Sequence, residues 1–80
     1  MINDFNKAQN LEMNASLEIK FTYHAPKEDQ SERYGFLRDQ AKQLAYHIVN
    51  NTPVSREQSL ALTKLEECVF WANAAIARNE

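Results

Sequence analysis

The chain has one glycine, two prolines and one cysteine in 80 residues. With Gly35 alone, no glycine-rich phosphate loop and no dinucleotide fingerprint can be built. With Cys68 alone, no internal disulfide can form, which fits a reducing, intracellular setting. No window approaches the run of about 18 apolar residues that a membrane span requires. The N-terminal MINDFNKAQN has neither a basic start nor an apolar stretch, so no signal peptide is expected. A cytoplasmic protein with no membrane partner is the expectation. Nine basic and eleven acidic residues give a net charge of −2. That lacks the basic excess of a protein that coats DNA. C-x-x-C, H-E-x-x-H and G-x-S-x-G are also missing, and His24 and His47 fall in different segments. No enzymatic constellation, metal cluster or cofactor motif is visible.

Helical signals are plentiful. Ser55–Arg78 opens on a cap residue and holds no glycine or proline. Its apolar residues Leu62, Leu65, Val69, Ala72 and Ile76 lie on one stripe. Ser55, with Gln58 three residues on, forms a capping box and starts a helix over 55–79. Upstream, Tyr34, Leu37, Ala41, Leu44 and Ile48 form a heptad seam along a helix over 30–50. Asp29 or Ser31 is its candidate cap, with Asp29–Glu32 as a second capping box. Gly35 inside that helix costs about 1 kcal/mol relative to alanine. Close approach of a partner or ligand is one reason to keep it. Asn50–Val54 is a short loop, and Pro53 stops the first helix from continuing. Two long helices so linked form an antiparallel hairpin.

Ahead of the hairpin, Leu17, Ile19, Phe21 and Tyr23 alternate with polar residues. Period two over 17–23 predicts a strand with one apolar face. Residues 1–16, rich in Asn and Gln, form an N-terminal arm, either a short helix or a frayed end. The expected architecture is mainly α, an antiparallel two-helix hairpin domain over 17–80 behind a short strand. Beside the stripe of the second helix run Ala61, Cys68, Ala75, Phe70 and Trp71. One partner helix cannot cover all of this, so the chain is expected to form a homo-oligomer.

The residues that suggest ligand chemistry are aromatic, basic or hydroxylic. Tyr23 ends the strand beside His24, either as a half-buried strand aromatic or as a stacking surface. Arg33 and Arg38 lie on the first helix, five residues apart. Arg56 sits in the first turn of the second helix, where a cation opposes the helix dipole. It is either a solvated arginine or half of a phosphate site with the free backbone N–H groups there. Ser59 and Thr63 follow on the same face.

Two stretches, FTYHAPKEDQSERYGFLRDQAKQLA and SREQSLALTKLEECVFWANAAIARN, resemble the hairpin domain of a phage counter-defence family. That family includes the second phage anti-CBASS protein and the first Thoeris anti-defence protein. The shared pattern is Y-H-x-P, then E-R-Y-x-x-L-R-x-x-A-K-x-L-A, then S-R-E-x-S-L-A-L-T-x-L-E-E and W-A-N-A-A-I-A-R. The resemblance implies a sponge, a homohexamer of hairpins that sequesters cyclic di- and trinucleotides without cleaving them. Some members also take cyclic ADP-ribose isomers. By the same resemblance Tyr23 stacks on a base of a cyclic dinucleotide, and Arg38 stands where the anti-CBASS branch has a phosphate-proximal lysine. Arg56 matches an arginine of the trinucleotide pocket, with Ser59 and Thr63 beside it. Residues 1–16 lie outside the resemblance. A helical protein-interaction module is the competing expectation.

Overall fold

Three helices in sequence make up the computed structural model, which describes the backbone of residues 4–80 and the side chains of residues 10–80. They are α1 (Asp4–Phe21), α2 (Gln30–Asn51) and α3 (Arg56–Asn79). The hairpin is present: α2 and α3 run antiparallel and pack side by side, and α1 has no comparable contact with either. The chain measures 57 × 35 × 13 Å, about one helix thick, with a radius of gyration of 18.5 Å. A globular chain of this length would have a radius near 12 Å, by the usual scaling.

The expected strand over 17–23 is not there. Residues 17–21 belong to α1, and 22–27 are irregular. The expected arm and strand are one helix from Asp4 onward, and residues 1–3 of the arm lie outside the described residues. A strand leaves its N–H and C=O groups unpaired unless a second strand adjoins it. Among the described residues there is none. A helix satisfies those groups within the segment, and Ala15, Leu17, Glu18 and Lys20 are good helix formers. The alternating pattern therefore specified side-chain placement and not backbone conformation.

The hairpin turn is held by side chains. Ser55 caps α3, its Oγ accepting the Gln58 N–H at 3.1 Å. Gln58 does not complete a reciprocal box. Its Nε2 donates instead to Thr52 O and Thr52 Oγ1, each at 3.1 Å. Thr52 Oγ1 in turn donates to Ile48 O at 2.6 Å, closing the last turn of α2. The start of α2 differs. Asp29 occupies the cap position, but its carboxylate caps no N–H. Arg33, one turn on, takes it at 3.2 Å.

Along the seam Leu62, Leu65, Val69, Ala72 and Ile76 of α3 are half-buried against Tyr34, Leu37, Ala41, Ala45 and Ile48 of α2. Leu44, expected on this seam, is 49% exposed, and Ala45 takes its place. The seam follows the 3.6-residue helical repeat, which drifts from a strict heptad. Among the described residues no hydrophobic side chain is buried. Among the described residues no helix is long and apolar enough to cross a membrane.

Candidate functional site

The groups of interest gather where the start of α2 meets the end of α3. The chain reaches this point from α1 through Thr22–Asp29. His24 turns back on α1, its Nε2 donating to Ile19 O at 2.7 Å, one of the orphan carbonyls of the helix end. That contact leaves Tyr23 facing outward, 84% exposed. It is not the half-buried strand aromatic that was one expectation.

Tyr23 borders a hollow of about 420 Å³ with Lys27, Gln30, Arg78 and Glu80. Arg38 borders an adjoining hollow of about 330 Å³ with Ile19, Tyr34 and Asn73. His24, Ala77 and Arg78 line both, so Tyr23 and Arg38 belong to one continuous surface. Arg38 also edges a longer groove of about 520 Å³, floored by Leu65 and Val69 and flanked by Lys42 and Phe70. Asn73 lies where the two Arg38 hollows meet, and its Oδ1 is buried without a hydrogen-bond partner. Such an acceptor carries a desolvation cost until some donor reaches it. Across the seam a smaller hollow of about 210 Å³ is apolar, bordered by Leu37, Leu44, Cys68 and Ala72.

Arg33 is placed differently from Arg38. Its Nη1 donates to Glu80 Oε2 at 2.8 Å, its Nη2 to Glu80 Oε1, and its Nε to Asp29 Oδ1 at 3.2 Å. Glu80 hydrogen bonds raise the Arg33 pKa above its ordinary value, and the nearby Asp29 adds to the effect. The Glu80 carboxyl is correspondingly lowered to about 2, first by hydrogen bonds from Arg33 and then by that from Gln30. Arg56, Ser59 and Thr63 stand exposed on the first two turns of α3. They are 22, 19 and 15 residues before Arg78. At 1.5 Å per residue Arg56 lies about 33 Å from Arg78. The six candidates thus divide between the two ends of the hairpin.

Sequence reasoning missed Arg78, Lys27, Gln30, Asn73 and Glu80. Arg78 could have been found, because an antiparallel hairpin brings the end of α3 to the start of α2. The contacts of Glu80 with Gln30 and Arg33 span 50 and 47 residues, and no local pattern announces them.

By fold and surface this is a helical-hairpin protein that presents open hollows of basic and aromatic groups, with an apolar seam half covered by its own chain. The family model described as Acb2/Tad1, hairpin domain, matches residues 13–77, and the chain belongs to that family. No curated protein and no solved structure matches the chain.

Proposed function

We propose that the protein is a sponge for cyclic oligonucleotide second messengers. It binds cyclic di- and trinucleotides, holds them without cleaving them, and blocks CBASS-type signalling in the cytoplasm of an infected bacterial cell. Membership of the Acb2/Tad1 hairpin family carries this reading. The geometry is compatible with it. Tyr23 offers an exposed aromatic face, and Arg38 stands one hollow away with a charge that no acidic side chain among the described residues pairs. Arg56, Ser59 and Thr63, at the far end, form the trinucleotide site.

Assembly is part of the mechanism. The half-covered seam and the exposed Phe70 and Trp71 leave a large apolar surface for other copies. A symmetric oligomer, a hexamer in this reading, brings two copies of Tyr23 and Arg38 to one pocket. Binding at nanomolar affinity corresponds to about −12 kcal/mol. Pockets walled by preformed helices approach this because little ordering remains on binding.

Calorimetry of the whole chain against cyclic dinucleotides, cyclic trinucleotides and cyclic ADP-ribose isomers tests the reading. Heating the complex should return intact ligand; linear products would contradict it. Tyr23→Ala should weaken dinucleotide binding and spare trinucleotide binding, and equal losses would refute two separate sites. Light scattering should report an assembly larger than a dimer. The exposed Phe70 and Trp71, with Glu67 and Arg78 around their own hollow of about 330 Å³, support a second reading as a protein-interaction module. No heat with any cyclic nucleotide would favour it.

A further inference from the structure

An anion supplied by the chain itself already sits at the start of α2. The Glu80 carboxylate accepts hydrogen bonds from Arg33 Nη1 at 2.8 Å, from Arg33 Nη2, and from Gln30 Nε2 at 3.2 Å. Lys27 Nζ donates to the Glu80 main-chain oxygen at 2.7 Å. The donors are fixed in advance. Gln30 is 4% exposed, and among the described residues it is the one buried side chain. Its Oε1 accepts the Lys27 N–H at 3.1 Å while Lys27 O accepts the Gln30 N–H at 3.0 Å, so its amide cannot turn away. Arg33 is aimed by Asp29 on Nε, which leaves the two Nη groups as a fork. Between Lys27 and Asp29 the chain passes through Glu28 at φ 54°, a left-handed conformation that costs a glutamate energy. The turn accepts that strain and sets Lys27 and Gln30 against each other. Among the donors Gln30 is buried, Arg33 is 38% exposed in its side chain, and Lys27 is exposed beside the strained Glu28. Its acceptor is a single glutamate beyond the last turn of α3, 41% exposed in its side chain.

We propose that Lys27, Gln30 and Arg33 form a phosphate-binding cradle kept closed by Glu80, and that a nucleotide phosphodiester enters by taking the place of the carboxylate. A guanidinium fork binds carboxylate and phosphate oxygens in the same bidentate way. A phosphodiester carries one negative charge, so the exchange leaves the charge of the cradle unchanged. Asp29 remains on Arg33 Nε and repels a dianion more than a monoanion, so the cradle favours a diester over a terminal phosphate. Lys27, Gln30 and Glu80 line one hollow together with His24 and Arg78, and Tyr23 stands on its rim. A diester in the place of the Glu80 carboxylate would border the same hollow as that ring. The proposal rests on the sponge reading only for the nature of the ligand. It makes Glu80 a competitor that sets the threshold for capture.

The test is a titration of the full-length chain and its Glu80→Gln variant with inorganic phosphate and, separately, with cyclic di-AMP. Glu80→Gln removes the competing charge and should tighten both by about tenfold, the scale of losing one charge-assisted contact. Adding Arg33→Gln should abolish that gain. Glu80→Asp, which keeps the charge but shortens the reach, should give a smaller gain and serves if the glutamine variant folds poorly. Equal or weaker binding by Glu80→Gln, or a gain that survives Arg33→Gln, overturns the proposal and leaves Glu80 a fastening between the end of α3 and the start of α2. If cyclic di-AMP binds neither protein but phosphate still gains, the cradle stands and the sponge reading falls. If cyclic di-AMP binds both proteins equally and phosphate gains nothing, the sponge stands and the cradle falls.

Discussion

α1 and α3 are both long helices, of 18 and 24 residues, and they use their apolar residues in opposite ways. In α3 the residues Leu62, Leu65, Val69, Ala72 and Ile76 stand one above another, and all are half-buried against α2. In α1 the apolar residues fall at every second position from Leu11 to Phe21. On a helix that spacing turns about 200° per step, so they split between two opposite faces, Leu11, Ala15 and Ile19 on one and Met13, Leu17 and Phe21 on the other. No single face gathers them, and Leu11, Met13, Leu17, Ile19 and Phe21 are all exposed. The difference separates two properties that are easily conflated. Residue type decides whether a segment coils, and residue spacing decides whether the coil has anything to pack with.

The sharpest way to break this comparison is to cut one leucine in each helix. Leu65→Ala, which empties the middle of the seam, should cost about 2 kcal/mol in chemical denaturation. Leu17→Ala should stay within about 0.5 kcal/mol, as at most exposed positions. Comparable losses would mean that α1 is packed in solution and that its scattered leucines have found a surface.

The hairpin was legible because its signals are local and agree with one another. The α3 stripe, the cap at Ser55 and the stop at Pro53 lie within a few residues of what they control. The strand expectation over 17–23 failed because alternation is a statement about side chains, and a strand also needs a neighbour that this segment lacks. Leu44 lost its seam position to Ala45 through helical drift, which five residues of pattern cannot resolve. Tyr23 and Arg38 were visible as an aromatic and a cation. That they share one surface through His24 and Arg78 depends on the register of two antiparallel helices. The Glu80 contacts were illegible for the same reason.

The starts of α3 and α2 carry the comparison to the helix ends, since both looked like capping boxes. Ser55→Ala removes a cap that is made and should cost about 1 kcal/mol. Asp29→Ala removes a carboxylate that caps nothing and should cost a few tenths of that, as an exposed pair with Arg33. Equal costs would show that Asp29 turns to cap α2 in solution.

Gly35→Ala should shift stability the other way. Apart from its chain neighbours and the backbone of its own helix turn, no atom among the described residues lies within 4 Å of where a Cβ would stand. The substitution should therefore stabilise α2 by about 0.5–1 kcal/mol, read as a higher denaturation midpoint. A loss would reveal that another copy or a ligand packs against that open side, and that the glycine is kept for close approach.

The smallest effect should separate the two hairpin ends by pH. The Glu80 carboxyl has its pKa lowered from the ordinary 4.5 to about 2 by hydrogen bonds from Arg33 and Gln30. A lowered folded-state value means that the ionised form is favoured by folding. Its contribution is complete above pH 4.5 and is lost as pH falls toward 2. Melting curves of the parent and of Glu80→Gln should differ most near neutrality and converge by about pH 2, as the Glu80–Arg33 clasp is lost. The gap should shrink in high salt, because both partners are open to solvent. The cap at Ser55 is a hydroxyl that does not titrate in this range, so the cost of Ser55→Ala should stay constant over the same pH span. A cost at Ser55 that tracks pH as Glu80 does would mean that the two ends melt together, and the hairpin would then be one cooperative unit in which the clasp cannot open alone.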